Sequence, residues 1–314
     1  MLFIVSSERL HDRPMNIFVT GGTGFLGTHI IEELLRQGFT VSYSTRGKAV
    51  GAELSAATPM FGELEALTAT DLKCFDAVIH SAAVTPGSSQ ESDYDDVNNE
   101  GTRRLVDICS KAGVTRFVHI STMAVEAERD DAYVMSKRKA EQHVQASAMD
   151  WIIIRPGAVY GVNEWWISYL SLMEKKWLIP VIGDGEHLLH QIYVKDCARV
   201  VVGMVPKVDG LRKIYYAAAE PITYNRYLSV LRSSLHAQFR KIHIAMWMGQ
   251  VYAAGMKYIL RSPKPHYTYD PRRDLSLGAA ISIASDSRTF DQGLADMLVE
   301  MKLQKRNLNF VRKD

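Results

Sequence analysis

Tyr133 and Lys137 have the residue types and the spacing of an acid–base pair. The apolar pattern that follows them is helical, so their side chains at i and i+4 share one helix face. An ammonium beside a phenol favours the phenolate and lowers the pKa of the tyrosine, which suits it to proton transfer near neutral pH. Thr122 ends a strand eleven residues before Tyr133, and its hydroxyl could hold a substrate oxygen. Tyr/Lys pairs at this spacing are also common on protein surfaces without any catalytic role. The surrounding sequence is therefore needed to distinguish a catalytic pair from an ordinary surface pair.

A glycine-rich turn near the start of the chain supplies that context. The stretch Asn16 to Gly27 reads NIFVTGGTGFLG and fits both G-x-G-x-x-G, from Gly22, and T-G-x-x-G-x-x-G, from Thr20. A bare Gly24 would let a pyrophosphate approach the N-terminus of the following helix, and Gly27 would let that helix pack closely on the strand. An ordinary tight turn is the alternative. The strand before the glycines and the helix after them favour a dinucleotide site.

Residues at the end of the second strand favour NADP over NAD. NAD-preferring folds place an acid there, about 20 residues after the glycine motif, whereas an arginine accommodates the extra phosphate of NADP. The strand Thr40 to Thr45 is followed by Arg46, Gly47 and Lys48, and no acid appears before Glu53. The two cations would attract a 2′-phosphate, unless they are merely solvated surface charges.

Strand and helix patterns alternate through the first half of the chain. Strands are indicated at Asp76 to His80 and Arg116 to Ser121, with a helix between them at Val97 to Ala112. This alternation predicts an α/β fold of the Rossmann type, a doubly wound parallel sheet with helices on both faces and a smaller C-terminal substrate domain. We expect an N-terminal extension at residues 1–14, a dinucleotide-binding domain at 15–160 with later returns near 188–220, and a mainly substrate-binding region at 161–314.

Composition and cysteine spacing bear on the class of protein, its binding partners and its cellular compartment. The 314 residues carry a net charge of +2 and include 47% hydrophobic and 23% charged residues, as in ordinary soluble proteins. That balance gives no indication of nucleic acid, and no apolar run reaches the length of a membrane span. Cys74, Cys109 and Cys197 have neither metal spacing nor a disulfide pattern, so a cytoplasmic setting is expected. No acid or cysteine cluster joins His187 and His190, so no metal site is expected.

Taken together, the motifs resemble those of the extended short-chain dehydrogenases/reductases, the NAD-dependent epimerase/dehydratase family. The resemblance covers roughly residues 15–200, and its motifs occur in the family's order. The matching stretches are Thr20 to Gly27, Gly62 to Leu64, His80 to Ala83, Val97-Asn98 with Gly101-Thr102, Ser121-Thr122, Tyr133 with Lys137, and Arg155 to Gly161.

The resemblance implies a role for each matching residue. Tyr133 would be the catalytic acid/base, Lys137 would tune it and bind the nicotinamide ribose, and Thr122 would bond the reacting oxygen. Glu63 and Leu64 would lie by the adenine. The residues implied to bind the cofactor are Gly21, Thr23, Gly24, Phe25, Leu26, Gly27, Arg46, Glu63, Leu64, Ala82, Ala83, Asn98, Tyr133, Lys137, and Pro156 and Val159 on the nicotinamide side.

Departures from the family pattern bear on the reaction. Its dehydratases carry an Asp-Glu pair after the threonine, where this chain has Met123 and Ala124, so a sugar 4,6-dehydratase is not expected. The usual Val-Tyr-Gly that follows is Val125-Glu126-Ala127 here. The connection from Thr122 to Tyr133 is also shorter than in most sugar epimerases, which weakens a nucleotide-sugar assignment.

Three functions therefore stay open. The first is an NAD(P)-dependent oxidoreductase that moves hydride between the nicotinamide and a carbonyl or secondary alcohol carbon of a small molecule. The second is a nucleotide-sugar epimerase that oxidises and then re-reduces its substrate. The third is a cofactor-sensing protein without catalysis, which the intact Tyr133 and Lys137 disfavour. Fold-level analogy adds a homodimer that pairs the helix Val97 to Ala112 and the Tyr133 helix across its interface.

The C-terminal third is expected to form the substrate pocket. Helix patterns occur at residues 164–176, 223–235 and 290–303, and Asp196 is expected to cap a helix beginning at Cys197. Trp165 and Trp166 either stack on a ligand or pack in the core. The apolar segment Ile242 to Leu260 is either a wall for an apolar substrate or a helix buried in its own domain.

Overall fold

A computed structural model describes residues 14–47, 51, 54–86, 93–127, 131–207, 209–245, 247 and 286–311. The strands are β1 Asn16–Thr20, β2 Thr40–Thr45, β3 Thr58–Phe61, β4 Ala77–His80, β5 Arg116–Ile120, β6 Asp150–Pro156, β7 Ala158–Tyr160, β8 Leu178–Ile182, β9 Leu188–Leu189, β10 Gln191–Tyr193, β11 Lys213–Ala217, β12 Ile222–Thr223 and β13 Arg240–Ile244. The helices are α1 Phe25–Arg36, α2 Ala69–Leu72, α3 Gly101–Ala112, α4 Ala132–Ala146, α5 Glu164–Lys175, α6 Val194–Met204, α7 Tyr224–Ser234 and α8 Phe290–Val311.

One parallel sheet of seven strands organises the fold, in the order β11-β6-β5-β4-β1-β2-β3. The order runs outward in both directions from β1 and β4, so the predicted doubly wound α/β sheet is confirmed. All four residues of β4 are buried, which explains why that strand is continuously apolar apart from His80. The carboxyl ends of the strands meet at one edge, the edge at which doubly wound folds bind their ligands.

Two cores lie on the opposite faces of this sheet. Ile17 and Val19 of β1 belong to one, which α1 and α6 cover, whereas Phe18 belongs to the other, which α3 and α4 cover. This alternation follows from the two-residue period of a strand. Helices therefore cover both faces of the sheet, and the ends of the strands lie at the edge where such folds bind ligands.

The helix predicted from Val97 begins differently. Residues Tyr94–Glu100 form a π-helical turn, and the α-helix α3 starts only at Gly101, whose N–H donates to the Asp96 carbonyl. The wider turn carries Asn98 and Asn99, both buried. Such turns occur mostly at functional sites, and the apolar spacing of the sequence does not reveal them.

A third core joins the C-terminal elements α5, α7 and α8 to the ends of β7 and β10. Trp166 is buried in it with its ring centroid 5.8 Å from that of Tyr160, so the packing interpretation is confirmed for this residue. The side chain of Trp165 lies outside the described residues. Ile242 begins the predicted apolar segment within β13, a strand that pairs with β8. Residues 248–285, and with them most of that segment, lie outside the described residues, as do residues 1–13.

The prediction for Asp196 is wrong. Because β10 runs directly into α6, the helix begins at Val194 and Asp196 lies within its first turn. The carboxylate is 1% exposed, forms ion pairs with Arg199 and Arg288, and accepts the backbone N–H of Arg288 at 2.8 Å. Asp196 therefore anchors the segment before α8 to α6.

Asp196→Asn is expected to lower the free energy of unfolding by about 2 kcal/mol, because it removes charged hydrogen bonds from a buried position. Urea unfolding followed by circular dichroism measures the loss. Asp291→Asn is the matched control, since the Arg226–Asp291 pair is largely exposed and its removal should change stability by less than about 0.5 kcal/mol. Equal losses in the two variants would contradict the anchoring role.

Candidate active site

The glycine turn after β1 is shaped by close backbone contacts. Gly21 has a φ of +68°, and a Cβ there would lie 2.6 Å from the Ala82 nitrogen. A Cβ on Gly27 would lie 2.0 Å from the Gly21 carbonyl oxygen. Gly27 therefore allows the start of α1 to approach the backbone of the glycine turn closely. Both positions accept only glycine, which suits the T-G-x-x-G-x-x-G pattern.

The N-terminus of α1 is open to an anion. Gly24 is its N-cap, and the helix has neither a side-chain cap nor an acid in its first turn. Thr23 and Gly24 are exposed, whereas Phe25 and Leu26 are half-buried against the C-terminal core. Unbonded N–H groups and the positive end of the helix dipole face this opening. The bare backbone at this edge fits a pyrophosphate, so the residues present suit a dinucleotide.

The ends of β2 and β3 lie side by side. The Gly62 N–H donates to the Thr45 carbonyl at 3.0 Å, so Arg46 and Glu63 leave the sheet at the same edge. Both side chains are exposed, and Leu64 is half-buried at the start of a short 3₁₀ turn. Lys48 and Glu53 lie outside the described residues.

A directional hydrogen-bond chain joins β1, β4 and α3. His80 Nδ1 lies 2.7 Å from Thr20 Oγ1 and Nε2 lies 2.9 Å from Thr102 Oγ1. Thr102 donates its own proton to the Asn98 carbonyl at 2.6 Å, so its oxygen must accept from Nε2–H. His80 is then the neutral Nε2–H tautomer, an assignment made from the hydrogen-bond network. Thr20 Oγ1 also accepts the Ala82 N–H at 3.3 Å.

Asn98 extends this chain to the helix that carries Tyr133. Its side chain accepts the Val84 N–H at 2.8 Å and donates to the Val84 carbonyl at 3.0 Å and to Ser136 Oγ at 3.1 Å. Ser136 donates in turn to the Tyr133 carbonyl at 2.7 Å. Asn98 is 1% exposed, so its contacts fix the loop after Ala82 and Ala83 against α4.

Lys137 is a buried ammonium at the end of β5. The residue is 2% exposed, and Nζ donates to the Ile120 carbonyl at 2.7 Å. Burial lowers the pKa of Lys137 to about 8, while the carboxylate of Glu141 opposes that shift. The bond to Ile120 ties α4 to the end of β5, two residues before Thr122.

Thr122 and Tyr133 are the accessible members of this group. Thr122 begins a 3₁₀ turn, Met123–Glu126, and its Oγ1 accepts the Ala124 N–H at 3.2 Å. Tyr133 is half-buried in the first turn of α4, with its ring centroid 5.7 Å from that of Tyr94. Both residues lie at the carboxyl edge of the sheet, the edge that also bears the glycine turn.

Pro156 and Val159 complete the same edge. Pro156 is buried at the end of β6, which pairs with β5, and Val159 is half-buried in β7 between two of the cores. The structure therefore gathers the predicted residues along the ends of β1, β4, β5 and β6, with Arg46, Glu63 and Leu64 at the ends of the neighbouring β2 and β3.

Two buried histidines, His80 on β4 and His119 on β5, lie near Lys137. The rings of His80 and His119 are 5.3 Å apart, and neither nitrogen of His119 has a hydrogen-bond partner among the described residues. Burial, followed by the charge of Lys137, lowers the pKa of His80 to about 3 and that of His119 well below its usual value. Both rings are neutral at physiological pH.

Sequence reasoning missed Ser136, Glu141 and Arg155 as parts of the site. Glu141 is 5% exposed and its carboxylate bonds the Arg155 guanidinium. One signal was available, because Glu141 lies four residues after Lys137 and hence on the same helix face. The partner on β6 is a tertiary contact that helical spacing does not give.

Comparison with models of protein families identifies the family of this chain. The model of the NAD dependent epimerase/dehydratase family matches residues 17–218. The chain belongs to this family. It is therefore an enzyme of the extended short-chain dehydrogenase/reductase type, a group of dehydrogenases, reductases and epimerases whose usual cofactor is NAD(P).

Individual relatives act on different substrates. Sterol-4-alpha-carboxylate 3-dehydrogenase (decarboxylating) of Dictyostelium discoideum is 29% identical over 74% of this chain and 80% of its own length. Ceramide reductase of Caulobacter vibrioides is 28% identical over 63% of this chain and 66% of its own. UDP-glucose 4-epimerase of Thermotoga maritima shares the fold, with a TM-score of 0.62 and 20% identity over 74% of this chain and 86% of its own.

Two features are absent from the described part of the chain. It contains no group of three or more His, Cys, Asp or Glu residues that could hold a metal ion. None of its helices is both long and apolar enough to cross a membrane.

His119→Phe is expected to make the protein less sensitive to acid. The unfolded chain binds a proton at His119 near pH 6.5 and the folded chain does not, so stability falls below that pH by up to about 1.4 kcal/mol per pH unit for each such histidine. Phenylalanine removes one of these contributions. Urea unfolding at pH 6.5 and pH 5 should show that the variant loses about 1–2 kcal/mol less than the wild type.

His236→Asn is the control, because this histidine is exposed and should leave the acid dependence unchanged. The same loss in His119→Phe and in the wild type would contradict the burial of a neutral imidazole at this position.

Proposed function

We propose that the protein is an NADP-dependent oxidoreductase that transfers hydride between the nicotinamide and a carbonyl or secondary alcohol carbon. The observation that carries the proposal is the grouping of Tyr133, Lys137 and Thr122 at the end of β5, on the sheet edge that bears the glycine turn. The nicotinamide supplies or accepts the hydride when it is bound. Tyr133 gives a proton to the substrate oxygen in reduction and takes it in oxidation.

Lys137 and Thr122 support that proton transfer. A buried ammonium with a pKa near 8 is mostly charged at pH 7, and its charge favours the phenolate of Tyr133. The Thr122 oxygen already accepts a backbone N–H, so its own proton is the one to donate to the substrate oxygen. Together the two hydroxyls hold the reacting carbon in line for transfer.

The remaining predicted residues would hold the dinucleotide. The open N-terminus of α1 suits the pyrophosphate, and Arg46 suits a 2′-phosphate because its guanidinium is exposed at the end of β2. We assign Asn98 to positioning, since its side chain is occupied by Val84 and Ser136. The assigned contacts are Gly21, Thr23, Gly24, Phe25, Leu26 and Gly27 at the pyrophosphate, Glu63 and Leu64 at the adenine, Ala82 and Ala83 beside the glycine turn, and Lys137, Pro156 and Val159 at the nicotinamide.

The substrate proposed is an apolar molecule with a ketone or secondary alcohol. The names of the sterol dehydrogenase and the ceramide reductase support this class, since both proteins act on lipids. Met123 and Ala124 offer no proton donor for a dehydration. The likeness to the UDP-glucose 4-epimerase concerns the fold, so epimerisation of a nucleotide sugar is kept as an outcome of the test.

NADPH absorbance with purified protein tests the proposal against a panel of sterol ketones, long-chain ketones, aldehydes and nucleotide sugars. Sustained NADPH loss with an apolar ketone supports the reductase. Tight cofactor binding without net loss, accompanied by stereochemical change in a sugar, would overturn it in favour of the epimerase. Failure to bind either nicotinamide cofactor would contradict the whole assignment.

Tyr133→Phe is expected to lower kcat by about 10²–10⁴-fold, because it removes only the proton that the reaction needs. The dissociation constant for NADPH, measured by fluorescence titration, should stay within about twofold of the wild type. Tyr215→Phe is the matched control, since its hydroxyl bonds Gly210 beside the edge strand β11. Equal turnover in Tyr133→Phe and the control would exclude the tyrosine as acid/base.

Arg46→Ala is expected to weaken NADPH binding about tenfold, equivalent to about 1.4 kcal/mol, and to leave NADH binding unchanged. Isothermal titration with the two cofactors measures the difference. Arg104→Ala removes an exposed arginine on α3 and should change neither constant. Parallel losses for NADPH and NADH in Arg46→Ala would contradict recognition of the 2′-phosphate.

A further inference from the structure

Arg155 lies at the centre of a charged network beside the proposed catalytic group. It extends from β6, and its side chain is 12% exposed. Nε donates to Glu141 Oε1 at 3.0 Å and Nη2 donates to Oε2 at 2.6 Å, a two-pronged bond to a carboxylate that is 5% exposed. Such forked pairs fix orientation as well as charge.

The same guanidinium has a second carboxylate partner. Nη1 forms an ion pair with Glu126 and donates to Tyr216 Oη at 3.0 Å. The Tyr216 hydroxyl completes the triangle by donating to Glu126 at 2.5 Å. Glu126 stands where the family resemblance leads us to expect the tyrosine of Val-Tyr-Gly.

Each carboxylate is attached to a different part of the reaction site. Glu126 ends the 3₁₀ turn that Thr122 caps. Glu141 lies one turn after Lys137 on α4, and it also accepts the hydroxyl of Ser121, the residue before Thr122. The Arg155 guanidinium therefore connects the 3₁₀ turn that follows Thr122 to the helix α4 that carries Tyr133.

From these contacts we propose that Arg155 is a positioning residue, which holds the Thr122 turn and the Tyr133 helix in one relative position through Glu126 and Glu141. The inference rests on the proposed function, because it assigns both elements to one reaction. Arg155 acts through its two carboxylate partners, Glu126 and Glu141. Lysine cannot replace it, because a single ammonium has no planar fork for two carboxylates.

The network also sets the charge around Lys137. Glu141 and Tyr133 flank the lysine on α4, while the neutral rings of His80 and His119 face it from β4 and β5. Glu141 favours the ammonium of Lys137 and shares its charge with Arg155 on β6. Removing the glutamate charge should lower the pKa of Lys137, whereas removing the arginine charge should raise it.

Kinetics of Arg155→Lys and Glu126→Gln test the positioning role. Each variant is expected to lose about tenfold or more in kcat, with the dissociation constant for NADPH within about twofold of the wild type, because misplaced hydroxyls slow the chemical step without changing the cofactor cradle. The control Arg226→Lys alters an exposed ion pair and should keep wild-type kcat. Wild-type kcat in both test variants would overturn the proposal.

The pH dependence of kcat separates positioning from a general loss of structure. Glu141→Gln should move the basic limb of the profile to lower pH by about half a unit or more, and Arg155→Gln should move it to higher pH. Partial unfolding cannot produce shifts of opposite sign. Shifts of the same sign, or none, would contradict the coupling of this network to Lys137.

Hydrogen exchange gives a readout that needs no substrate. In Arg155→Lys the peptide covering Thr122 to Ala127 should exchange severalfold faster, while peptides of β1 and α1 keep their wild-type rates. An unchanged rate in that peptide would overturn the positioning role even if the panel yields no turnover. An inactive wild type with the expected exchange change would instead count against the proposed function alone.

Discussion

The buried charge of Lys137 is the constraint on which the arrangement of the site depends. An ammonium that is 2% exposed is costly unless nearby groups stabilise it. The Ile120 carbonyl supplies a hydrogen bond and Glu141 supplies the opposite charge. His80 and His119 stay neutral beside it, first because burial lowers the pKa of each ring and second because Lys137 already carries a positive charge. The strand ends and the first two turns of α4 are thus organised around one cation.

The parallel sheet brings distant segments to that cation. The strands β1 and β4 are neighbours at the centre of the sheet, where the strand order turns outward in both directions, so the glycine turn and the loop after His80 lie side by side at one edge. The hydrogen bonds from Thr20 through His80, Thr102 and Asn98 then reach Ser136 on α4. In the proposed reaction, a cofactor at the turn and a substrate oxygen at Tyr133 would therefore be held by one hydrogen-bonded network.

The parts of the site that the sequence could predict are local. Gly21 is marked by its pattern because only glycine suits its φ and its contact with Ala82, and Tyr133 with Lys137 is marked by helical spacing. Non-local contacts escaped prediction. Asp196 was predicted as a helix cap, but its buried carboxylate binds Arg288, 92 residues away in the chain. Likewise, nothing in the spacing of Glu126, Glu141 and Arg155 indicates that one guanidinium joins them. The homodimer stays a prediction.

Transfer of deuterium is the most direct test of the central claim, that this edge of the sheet performs hydride transfer. In two parallel reactions, the protein is incubated with the ketone that it reduces and with NADPH that carries deuterium at one or the other of the two C4 positions. The product is analysed by mass spectrometry and NMR. The account predicts one deuterium at the new carbinol carbon, delivered from only one of the two C4 positions, and the same labelled product formed about 10²–10⁴-fold more slowly by Tyr133→Phe. A product without deuterium from either labelled cofactor would contradict direct transfer and with it the proposed reaction.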